Sequence, residues 1–360
     1  MTPRSVVIAA GGTGGHVFPG LALADALEVE ANVTSVFVGT ARGLEGRLVS
    51  EAGRELELFH VDPIKGGGMA QALRGGWSAA RALEGATAFL LRRRPGVVVS
   101  IGGYASGPVS LAAAVLGIPV AIVEPNSVMG LANRILAPIA RRIYLAFDRA
   151  RPRFGGERVR LSGVPLRSGF APQSSQPSTL RRVLVLGGSQ GAQALNERLP
   201  EALGRRAQEG ILLEVTHQAG EGRDRGVREA YARCGIPNAR VVPFSTRIED
   251  DLAWSDLVVA RAGAGTLAEI AAVGRASLLI PFPSAADDHQ AMNATAFADC
   301  GAAIWVRQAA ADSARLASEI RRLVTDDALR ARLALGAEGL GRPEAARTIA
   351  RDLHSLLEMS

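Results

Sequence analysis

A strand, a glycine loop and a helix follow one another twice in this chain, and that repeat is the strongest constraint on its fold. The apolar run SVVIAA at 5–10 leads into the loop GGTGGH at 11–16 and then into a helical pattern. The run RRVLVL at 181–186 leads in the same way into GGSQG at 187–191. Unbroken apolar runs are typical of parallel strands that are buried on both faces. The sequence therefore predicts an α/β protein with two Rossmann-like domains, whose parallel sheets face a central cleft.

Strands and helices are predicted to alternate through both halves. In the first half we expect further strands at 34–38, 57–61, 97–101 and 120–123, with helices at 21–27, 44–52, 77–93 and 108–116. In the second half we expect strands at 212–216, 240–243, 257–260 and 277–281, and a helical tail from Ser313 onward.

The domain boundary is predicted from a change in composition. The segment FAPQSSQPST at 170–179 contains two prolines and no charged residue, as linkers often do. A chain of 360 residues also suits two domains of about 150 residues each. We predict an N-terminal domain at 1–168, a linker at 169–180, a C-terminal domain at 181–345, and a last helix at 346–360 that packs back toward the N-terminal domain.

Cysteine content and hydropathy restrict the compartment. The two cysteines, Cys234 and Cys300, have no metal-like spacing, which fits a reducing cytoplasm. The longest apolar stretch, at 97–123, is interrupted by several glycines and prolines, so we expect no membrane-spanning helix. The N-terminus lacks the pattern of a signal peptide.

The charge of the chain is one-sided. The formal net charge is +6, and the whole excess lies in the first 160 residues, where 18 basic residues stand against 12 acidic ones. Such an asymmetry suggests a phosphate-rich partner, either anionic lipid or nucleic acid. The alternative is an arginine-rich surface that only faces solvent.

Three loops at strand ends form the candidate ligand site of the first domain: GGTGGH at 11–16, GGYASGP at 102–108 and EPN at 124–126. Glycines before a helix let anionic oxygens approach its N-terminus, and the lack of Asp or Glu in GTA at 39–41 argues against NAD. His16 is a candidate general base or phosphate ligand, the alternative being a structural or capping histidine. Asn126 offers a donor and an acceptor to a sugar, unless it forms an Asx turn.

The second domain repeats the arrangement. The loop at 187–191 offers a helix N-terminus and a hydroxyl group to phosphate. In RAGAGTLAE at 261–269, Glu269 falls about one turn inside the next helix, where its carboxylate can accept hydrogen bonds from two ribose hydroxyls. Helix capping by Thr266 is the alternative explanation of this motif.

The segment PFPSAADDHQ at 281–290 follows another strand. A metal site made of Asp287, Asp288 and His289 is disfavoured, because adjacent residues rarely converge on one ion. We expect contacts to sugar hydroxyls there instead.

These six motifs, in this order and over nearly the full length, resemble the MurG family of GT-B glycosyltransferases. The resemblance implies transfer of N-acetylglucosamine from UDP-N-acetylglucosamine to the C4 hydroxyl of N-acetylmuramoyl in lipid I, with inversion, giving lipid II for peptidoglycan synthesis. It places the UDP-sugar on the C-terminal domain and the undecaprenyl-diphosphate-linked acceptor on the N-terminal domain. It further implies no cofactor, no metal ion, no nucleic-acid partner, and a peripheral location on the cytoplasmic face of the cell membrane.

The resemblance also assigns residues. Thr13, Gly14 and Gly15 match the family loop beside the diphosphate and sugar, while His16 and Tyr104 match positions near the acceptor. The other residues matched to the nucleotide-sugar site are Asn126, Arg167, Ser189, Arg261, Ala262, Gly263, Ala264, Gly265, Thr266, Leu267, Ala268, Glu269, His289 and Gln290.

Two assignments stay open at this stage. Relatives commonly read FIDDM where this chain has FSTRI at 244–248, so Ser245 and Ile248 are alternative candidates for the uracil contact. His16 and Glu124 are alternative candidates for the general base.

The excess of basic residues in the first half would favour binding to an anionic leaflet that contains a diphospholipid acceptor. We expect a docking patch in which apolar and basic residues interleave, or else the packing of Leu73 and Phe89 beneath the sheet. The residues of this predicted patch are Leu73, Arg74, Trp77, Arg81, Phe89, Arg92, Arg93 and Arg94.

Three other functions fit the same fold. A UDP-N-acetylglucosamine epimerase would turn over the donor without an acceptor. A diacylglycerol glycosyltransferase would accept a plain lipid. A nucleotide-binding regulatory module would bind the UDP-sugar and release no UDP.

Overall fold

The chain divides into two compact units. A computed structural model describes residues 5–11, 14–40, 45–59, 69–103, 105–153, 155–173, 180–188 and 190–358, with only the backbone at 69–80. One unit comprises Met1–Ser168 together with Pro343–Ser360, and the other comprises Gly169–Arg342.

The first unit alternates strands and helices along the chain. Its elements are β1 (Ser5–Ala10), α1 (Gly14–Ala31), β2 (Thr34–Thr40), α2 (Glu45–Glu51), β3 (Glu55–Phe59), α3 (Met69–Arg93), β4 (Val97–Gly102), α4 (Ser106–Val115), β5 (Val120–Glu124), α5 (Leu131–Leu136), β6 (Arg142–Leu145) and β7 (Val159–Leu161). They form a seven-stranded sheet of order β3-β2-β1-β4-β5-β6-β7, in which every pair is parallel. The strand order reverses direction between β1 and β4, which is where open α/β sheets bind ligands.

The second unit repeats the plan. Its elements are β8 (Arg181–Leu186), α6 (Gln193–Gln208), β9 (Leu213–Gln218), α7 (Asp224–Arg233), β10 (Arg240–Val242), α8 (Ile248–Trp254), β11 (Leu257–Ala260), α9 (Ala264–Val273), β12 (Ala276–Leu279), α10 (His289–Asp299), β13 (Ile304–Trp305), α11 (Ser313–Thr325) and α12 (Asp327–Leu340). The parallel sheet has the order β10-β9-β8-β11-β12-β13, with its reversal between β8 and β11. The predicted α/β class with two Rossmann-like parallel-sheet domains is confirmed.

The apolar runs are buried on both faces of each sheet. Val6 and Ile8 of β1 belong to a core cluster that includes α1 and the last helix, α13 (Ala345–Glu358). Val7, between them, packs in a different cluster with side chains of α3 and α4. Because side chains alternate across a strand, a sheet covered on both faces needs apolar residues at consecutive positions.

Several predicted boundaries are wrong by a few residues. α1 begins at Gly14 instead of 21, and α3 begins at Met69 instead of 77. The first turns of both helices contain glycines, and α1 also contains Pro19. Because glycine and proline are poor helix formers, the sequence pattern did not predict a helix there. β12 ends at Leu279, two residues before the predicted end.

The predicted docking patch needs a correction. Phe89 is 1% exposed and meets Phe59 edge to face, with ring centroids 6.0 Å apart, so it belongs to the core. The side chains of Leu73, Arg74 and Trp77 lie outside the described residues. None of the helices described in the structure is both long and apolar enough to cross a membrane.

α13 is attached to the first unit by a charged contact as well as by its apolar face. Asp352 Oδ2 accepts hydrogen bonds from the Tyr144 hydroxyl (2.6 Å), Arg142 Nε (3.1 Å) and Arg160 Nε (3.2 Å). Its side chain is only 18% exposed. Removing this carboxylate would leave a largely buried hydroxyl and a guanidinium without their acceptor.

We therefore expect Asp352→Ala to lower the free energy of unfolding of the first unit by about 2 kcal/mol. The measurement is urea unfolding of the full chain, followed by circular dichroism. Glu344→Ala is the matched control, because the Glu344 side chain is 65% exposed and its pair with Arg347 is worth at most about 0.5 kcal/mol. Equal unfolding midpoints for both variants would contradict the role given to Asp352.

Candidate active site

The ends of β1 and β4 approach each other closely in the first unit. The N–H group of Gly11 donates to the carbonyl oxygen of Gly102, 3.2 Å away. Gly103 has φ +93°, and a Cβ there would clash with the carbonyl oxygen of Gly11. Only glycine fits this crossing, which brings the loops after β1 and β4 together at one edge of the sheet. Thr13 and Tyr104, predicted for this edge, lie outside the described residues.

His16 lies in the first turn of α1 and is half-buried. Its Nδ1 is 3.0 Å from the carbonyl oxygen of Gly11. Since a carbonyl oxygen can only accept, Nδ1 carries the proton in the neutral ring, and the lone pair is on Nε2. A neutral imidazole held in this way can take a proton at Nε2.

Glu124 ends β5 and is 1% exposed. Its Oε1 accepts from the backbone N–H (3.0 Å) and the side-chain Nδ2 (3.1 Å) of Asn126. Its Oε2 accepts from the Gly130 N–H (2.9 Å) and from Asn133 Nδ2 (3.0 Å). Asn133 is itself held by the hydroxyl group of Ser100, at 2.7 Å. The carboxylate thus fixes the loop at 124–130 and orients the amide of Asn126.

Arg167, which the sequence also assigned to the sugar nucleotide, is exposed on the surface of this unit. None of the hydrogen bonds given above for the loops after β1, β4 and β5 involves Arg167.

In the second unit, the loop after β8 crosses the loop after β9. Gly191 has φ +69°, and a Cβ on it would clash with the carbonyl oxygen of Ala219. Gln218 Nε2 donates to the carbonyl oxygen of Gly188 (2.9 Å). Ser189, predicted to contact the diphosphate, lies outside the described residues.

The two candidates for the uracil contact differ in environment. Ser245 is 5% exposed, its N–H donates to Gln218 Oε1 (3.1 Å), and its hydroxyl donates to Asp251 Oδ2 (2.5 Å). Both of its donors thus bond within the protein, and its carbonyl oxygen is the group that suits a nucleobase. Ile248 is half-buried and begins α8.

α9 starts at the end of β11 without a side-chain cap. Its N-cap residue, Gly263, is in an extended conformation and has no side chain to cap the helix. Thr266 lies inside the helix, so the capping alternative for this motif is wrong. Uncapped N–H groups at a helix N-terminus suit an anion. Glu269 is half-buried one turn further along, whereas the side chains of Ala262, Ala264 and Leu267 are buried and leave only their backbone for a ligand.

The side chain of Arg261, which the resemblance assigned to the nucleotide-sugar site, bonds within the protein. Its guanidinium donates to the carbonyl oxygens of Ile280 (2.9 Å) and Pro281 (3.2 Å) and to Gln308 Oε1 (2.6 Å). Burial, with a smaller contribution from the nearby Arg198, lowers the pKa of Arg261 to about 10, so the group stays protonated at neutral pH. The bonds of this side chain hold the turn after β12 in place.

Phe282 is a feature that the sequence reasoning missed. Its ring is 43% exposed at the sheet edge and lies 5.5 Å from the Arg261 guanidinium. Its N–H donates to Gln290 Oε1 at 3.0 Å. An aromatic residue between two prolines after a strand is the signal that could have identified it.

The backbone is strained just before α10. Asp287 and Asp288 have φ values of +52° and +53°, a left-handed conformation that non-glycine residues seldom adopt. His289 Nδ1 is 2.7 Å from the carbonyl oxygen of Ala286, and Asp288 pairs with Arg307 at 3.3 Å. Among the described residues, no group of three or more His, Cys, Asp or Glu side chains could hold a metal ion.

Comparison with known proteins now identifies the family. The model of the glycosyltransferase family 28 N-terminal domain matches residues 6–145, and that of the C-terminal domain matches residues 182–348. A relative from Sorangium cellulosum (strain So ce56), named UDP-N-acetylglucosamine--N-acetylmuramyl-(pentapeptide) pyrophosphoryl-undecaprenol N-acetylglucosamine transferase, is 50% identical over 98% of this chain and 88% of its own length.

Solved structures are similar to this chain over nearly its full length. The crystal structure of Acinetobacter baumannii MurG has a TM-score of 0.82 at 30% identity, covering 98% of this chain and 99% of that one. A UDP-GlcNAc 2-epimerase from Neisseria meningitidis, bound to UDP-GlcNAc, has a TM-score of 0.65 at 11% identity, covering 98% and 100%, which shows the fold alone. The chain therefore belongs to glycosyltransferase family 28 and, within it, to the MurG family.

Proposed function

We propose that this protein transfers N-acetylglucosamine from UDP-N-acetylglucosamine to the C4 hydroxyl of the N-acetylmuramoyl residue in lipid I, which gives lipid II. The observation that carries the proposal is the 50% identity, over 98% of the chain, with a relative named for that reaction. The models of the two family domains match residues 6–145 and 182–348, so the similarity extends through both units. A regulatory role would leave the matched loops of both units without a common purpose.

The donor is proposed to bind at the carboxyl edge of the second sheet. β8, β11 and β12 are neighbours and run parallel, so the loops that follow them lie at one edge. The uncapped N-terminus of α9 and the glycine loop at 187–191 would hold the diphosphate. Glu269 would accept from the ribose hydroxyls, and His289 with Gln290 would contact the sugar.

The uracil base is proposed to lie against the segment that contains Ser245 and Ile248. The Ser245 carbonyl oxygen and the backbone of Ile248 are the groups that suit it, since the donors of Ser245 bond to Gln218 and Asp251. Charge that develops on the leaving diphosphate would be stabilised by main-chain N–H groups and the dipole of α9. We propose that this arrangement needs no metal ion.

The first measurement is UDP release from UDP-N-acetylglucosamine in the presence of EDTA, with and without a short-chain lipid I analogue. We expect release only when the acceptor is present, because the C4 hydroxyl is the nucleophile. Epimerisation of the donor without an acceptor would contradict the proposal. Release with plain diacylglycerol would assign a different acceptor, and binding without turnover would indicate a regulatory module.

The general base is proposed to be His16 rather than Glu124. The C4 oxygen would attack C1 of the donor, the bond from C1 to UDP would break, and the hydroxyl proton would pass to His16 Nε2. The bond between Nδ1 and the carbonyl oxygen of Gly11 supports this assignment, because it puts the lone pair on Nε2. Glu124 already accepts four N–H groups and instead positions Asn126.

We expect His16→Ala to lower kcat by about 10²–10⁴-fold while the Kd for UDP changes less than about threefold. His289→Ala is the matched control, since loss of a proposed sugar contact should mainly raise the KM for UDP-N-acetylglucosamine. Steady-state transfer assays and UDP calorimetry measure the two effects. A kcat for His16→Ala within tenfold of the parent protein would rule out this base.

The first unit is proposed to bind the surface of an anionic membrane through the α4–α5 surface, defined here by exposed apolar side chains. Its residues are Leu111, Val115, Leu131, Ile135 and Ile139, whose exposed fractions run from 44% to 77%. α4 packs beside α5, and the exposed Arg134 and Arg141 lie on and next to α5. Apolar side chains beside arginines match the acyl chains and headgroups of an anionic leaflet. Nucleic acid offers no such apolar layer.

We expect the double substitution Val115→Glu with Ile135→Glu to reduce binding to phosphatidylglycerol vesicles by at least about fivefold. Leu335→Glu is the matched control, because Leu335 is 70% exposed on α12 in the other unit. Vesicle sedimentation at low and high salt measures the bound fraction. Equal binding by the double variant and the control would exclude this surface.

A further inference from the structure

We infer that Gln218 is a positioning residue of the donor site, whose side-chain amide holds the loop after β8 and the segment after β10 in one fixed arrangement. The inference rests on the proposed function only in that it takes these two segments to contact the diphosphate and the uracil. The inference adds Gln218, a residue proposed to touch neither the diphosphate nor the uracil, which sets the distance between the two segments.

The position of Gln218 in the sheet makes the bridge possible. It is the last residue of β9, which lies between β10 and β8. Its side chain is 6% exposed. Nε2 donates to the carbonyl oxygen of Gly188 at 2.9 Å, and Oε1 accepts from the Ser245 N–H at 3.1 Å. One amide therefore bonds to both neighbouring segments, with its donor on one side and its acceptor on the other.

The loop after β8 is bonded on either side of Gly188, and Gln218 adds the side-chain bond at Gly188 itself. The Gly187 N–H donates to the carbonyl oxygen of Gln218 at 3.4 Å, and Arg223 Nη1 donates to the carbonyl oxygen of Gln190 at 3.1 Å. Gly188 has φ +82°, and a Cβ built on it would meet nothing within 4 Å, so the space on that side of its Cα is open. Its carbonyl oxygen accepts from the Gly191 N–H within the loop at 3.0 Å and from Gln218. The Gln218 bond is the one that ties this carbonyl group to the sheet.

The bridge continues on the other side into α8. The Ser245 hydroxyl donates to Asp251 Oδ2 at 2.5 Å, and Asp251 Oδ1 accepts from Arg240 Nη1 at 2.5 Å. Asp251 lies in α8, the helix that Ile248 begins. Both candidates for the uracil contact thus belong to a segment whose position is set from Gln218 and Asp251.

The neighbouring His217 has a separate role, which supplies a control. Its ring lies in the core, with Nδ1 3.0 Å from the Tyr231 hydroxyl and Nε2 3.0 Å from Asn196 Oδ1. Burial lowers the pKa of His217 to about 3, so the ring is neutral. Tyr231→Phe therefore removes a buried hydrogen bond from the same unit without touching the bonds of Gln218.

The consequence for binding is specific. When both segments are fixed in advance, UDP meets its diphosphate and uracil contacts together, and no ordering of either segment is required. Gln218→Met fills the same space but can neither donate nor accept in this way. Gln218→Glu keeps the acceptor for Ser245 but places a charged oxygen against the Gly188 carbonyl group and near the proposed diphosphate.

The test compares these variants in the full chain by UDP calorimetry, transfer kinetics and thermal unfolding. We expect Gln218→Met to raise the Kd for UDP and the KM for UDP-N-acetylglucosamine about tenfold, with kcat at saturating donor changed less than about threefold. Gln218→Glu should weaken UDP binding more than Gln218→Met. Tyr231→Phe should lower the melting temperature and leave the Kd for UDP within twofold of the parent value.

A Kd for UDP within twofold of the parent value in both Gln218 variants would overturn the inference. So would an equal loss of affinity in Tyr231→Phe, since the effect would then follow stability alone. If Gln218→Met weakens UDP binding while the parent protein shows no acceptor-dependent UDP release, the inference stands and the proposed reaction fails. If the parent protein releases UDP with lipid I and neither Gln218 variant alters UDP binding, the proposed reaction stands and the inference about Gln218 fails.

Discussion

The close approach of backbone to backbone at the carboxyl edge of each sheet is the constraint on which both sites depend. Gly103 against Gly11 in the first unit, and Gly191 against Ala219 in the second, leave no room for a Cβ. At these points the loop after β1 meets the loop after β4, and the loop after β8 meets the loop after β9. A larger side chain at either point would move the two loops apart, so glycine at Gly103 and Gly191 is a requirement of their geometry.

Each unit then uses one buried polar side chain to organise its edge. In the first unit it is Glu124, a carboxylate that accepts four N–H groups from the loop at 124–130 and from Asn133. In the second it is Gln218, an amide that both donates and accepts. The choice of group follows from its partners. The four groups that face the Glu124 carboxylate are all N–H donors, whereas Gln218 faces a carbonyl group on one side and an N–H group on the other.

Arginine in the second unit serves a similar internal purpose. Arg261 has three acceptors within 3.2 Å and lies beside the exposed ring of Phe282, so its charge holds the turn after β12. The strained residues Asp287 and Asp288 follow in the same loop and lead into α10. Backbone strain at this point persists because the surrounding bonds fix the loop on both sides. In this unit, the residues proposed to bind the donor are thus different from the side chains that hold these loops.

The sequence by itself determined the α/β class, the two repeated parallel sheets and the loops at which strands end, because consecutive apolar residues and glycines follow directly from burial on two faces. It also predicted His16 and Glu269 as site residues, and it supplied the ordered motifs that resemble the family. Only the tertiary structure decided that Phe89 is core, that both donors of Ser245 bond internally, and that Arg261 and Glu124 hold loops. These outcomes depend on partners far away in sequence, since Gly188 and Gln218 are 30 positions apart and Gln218 and Ser245 are 27 positions apart. An apolar pattern predicts strands and helices, but the partner of a side chain, whether the Phe59 ring beside Phe89 or the acceptor of a polar group, is set by which elements become neighbours.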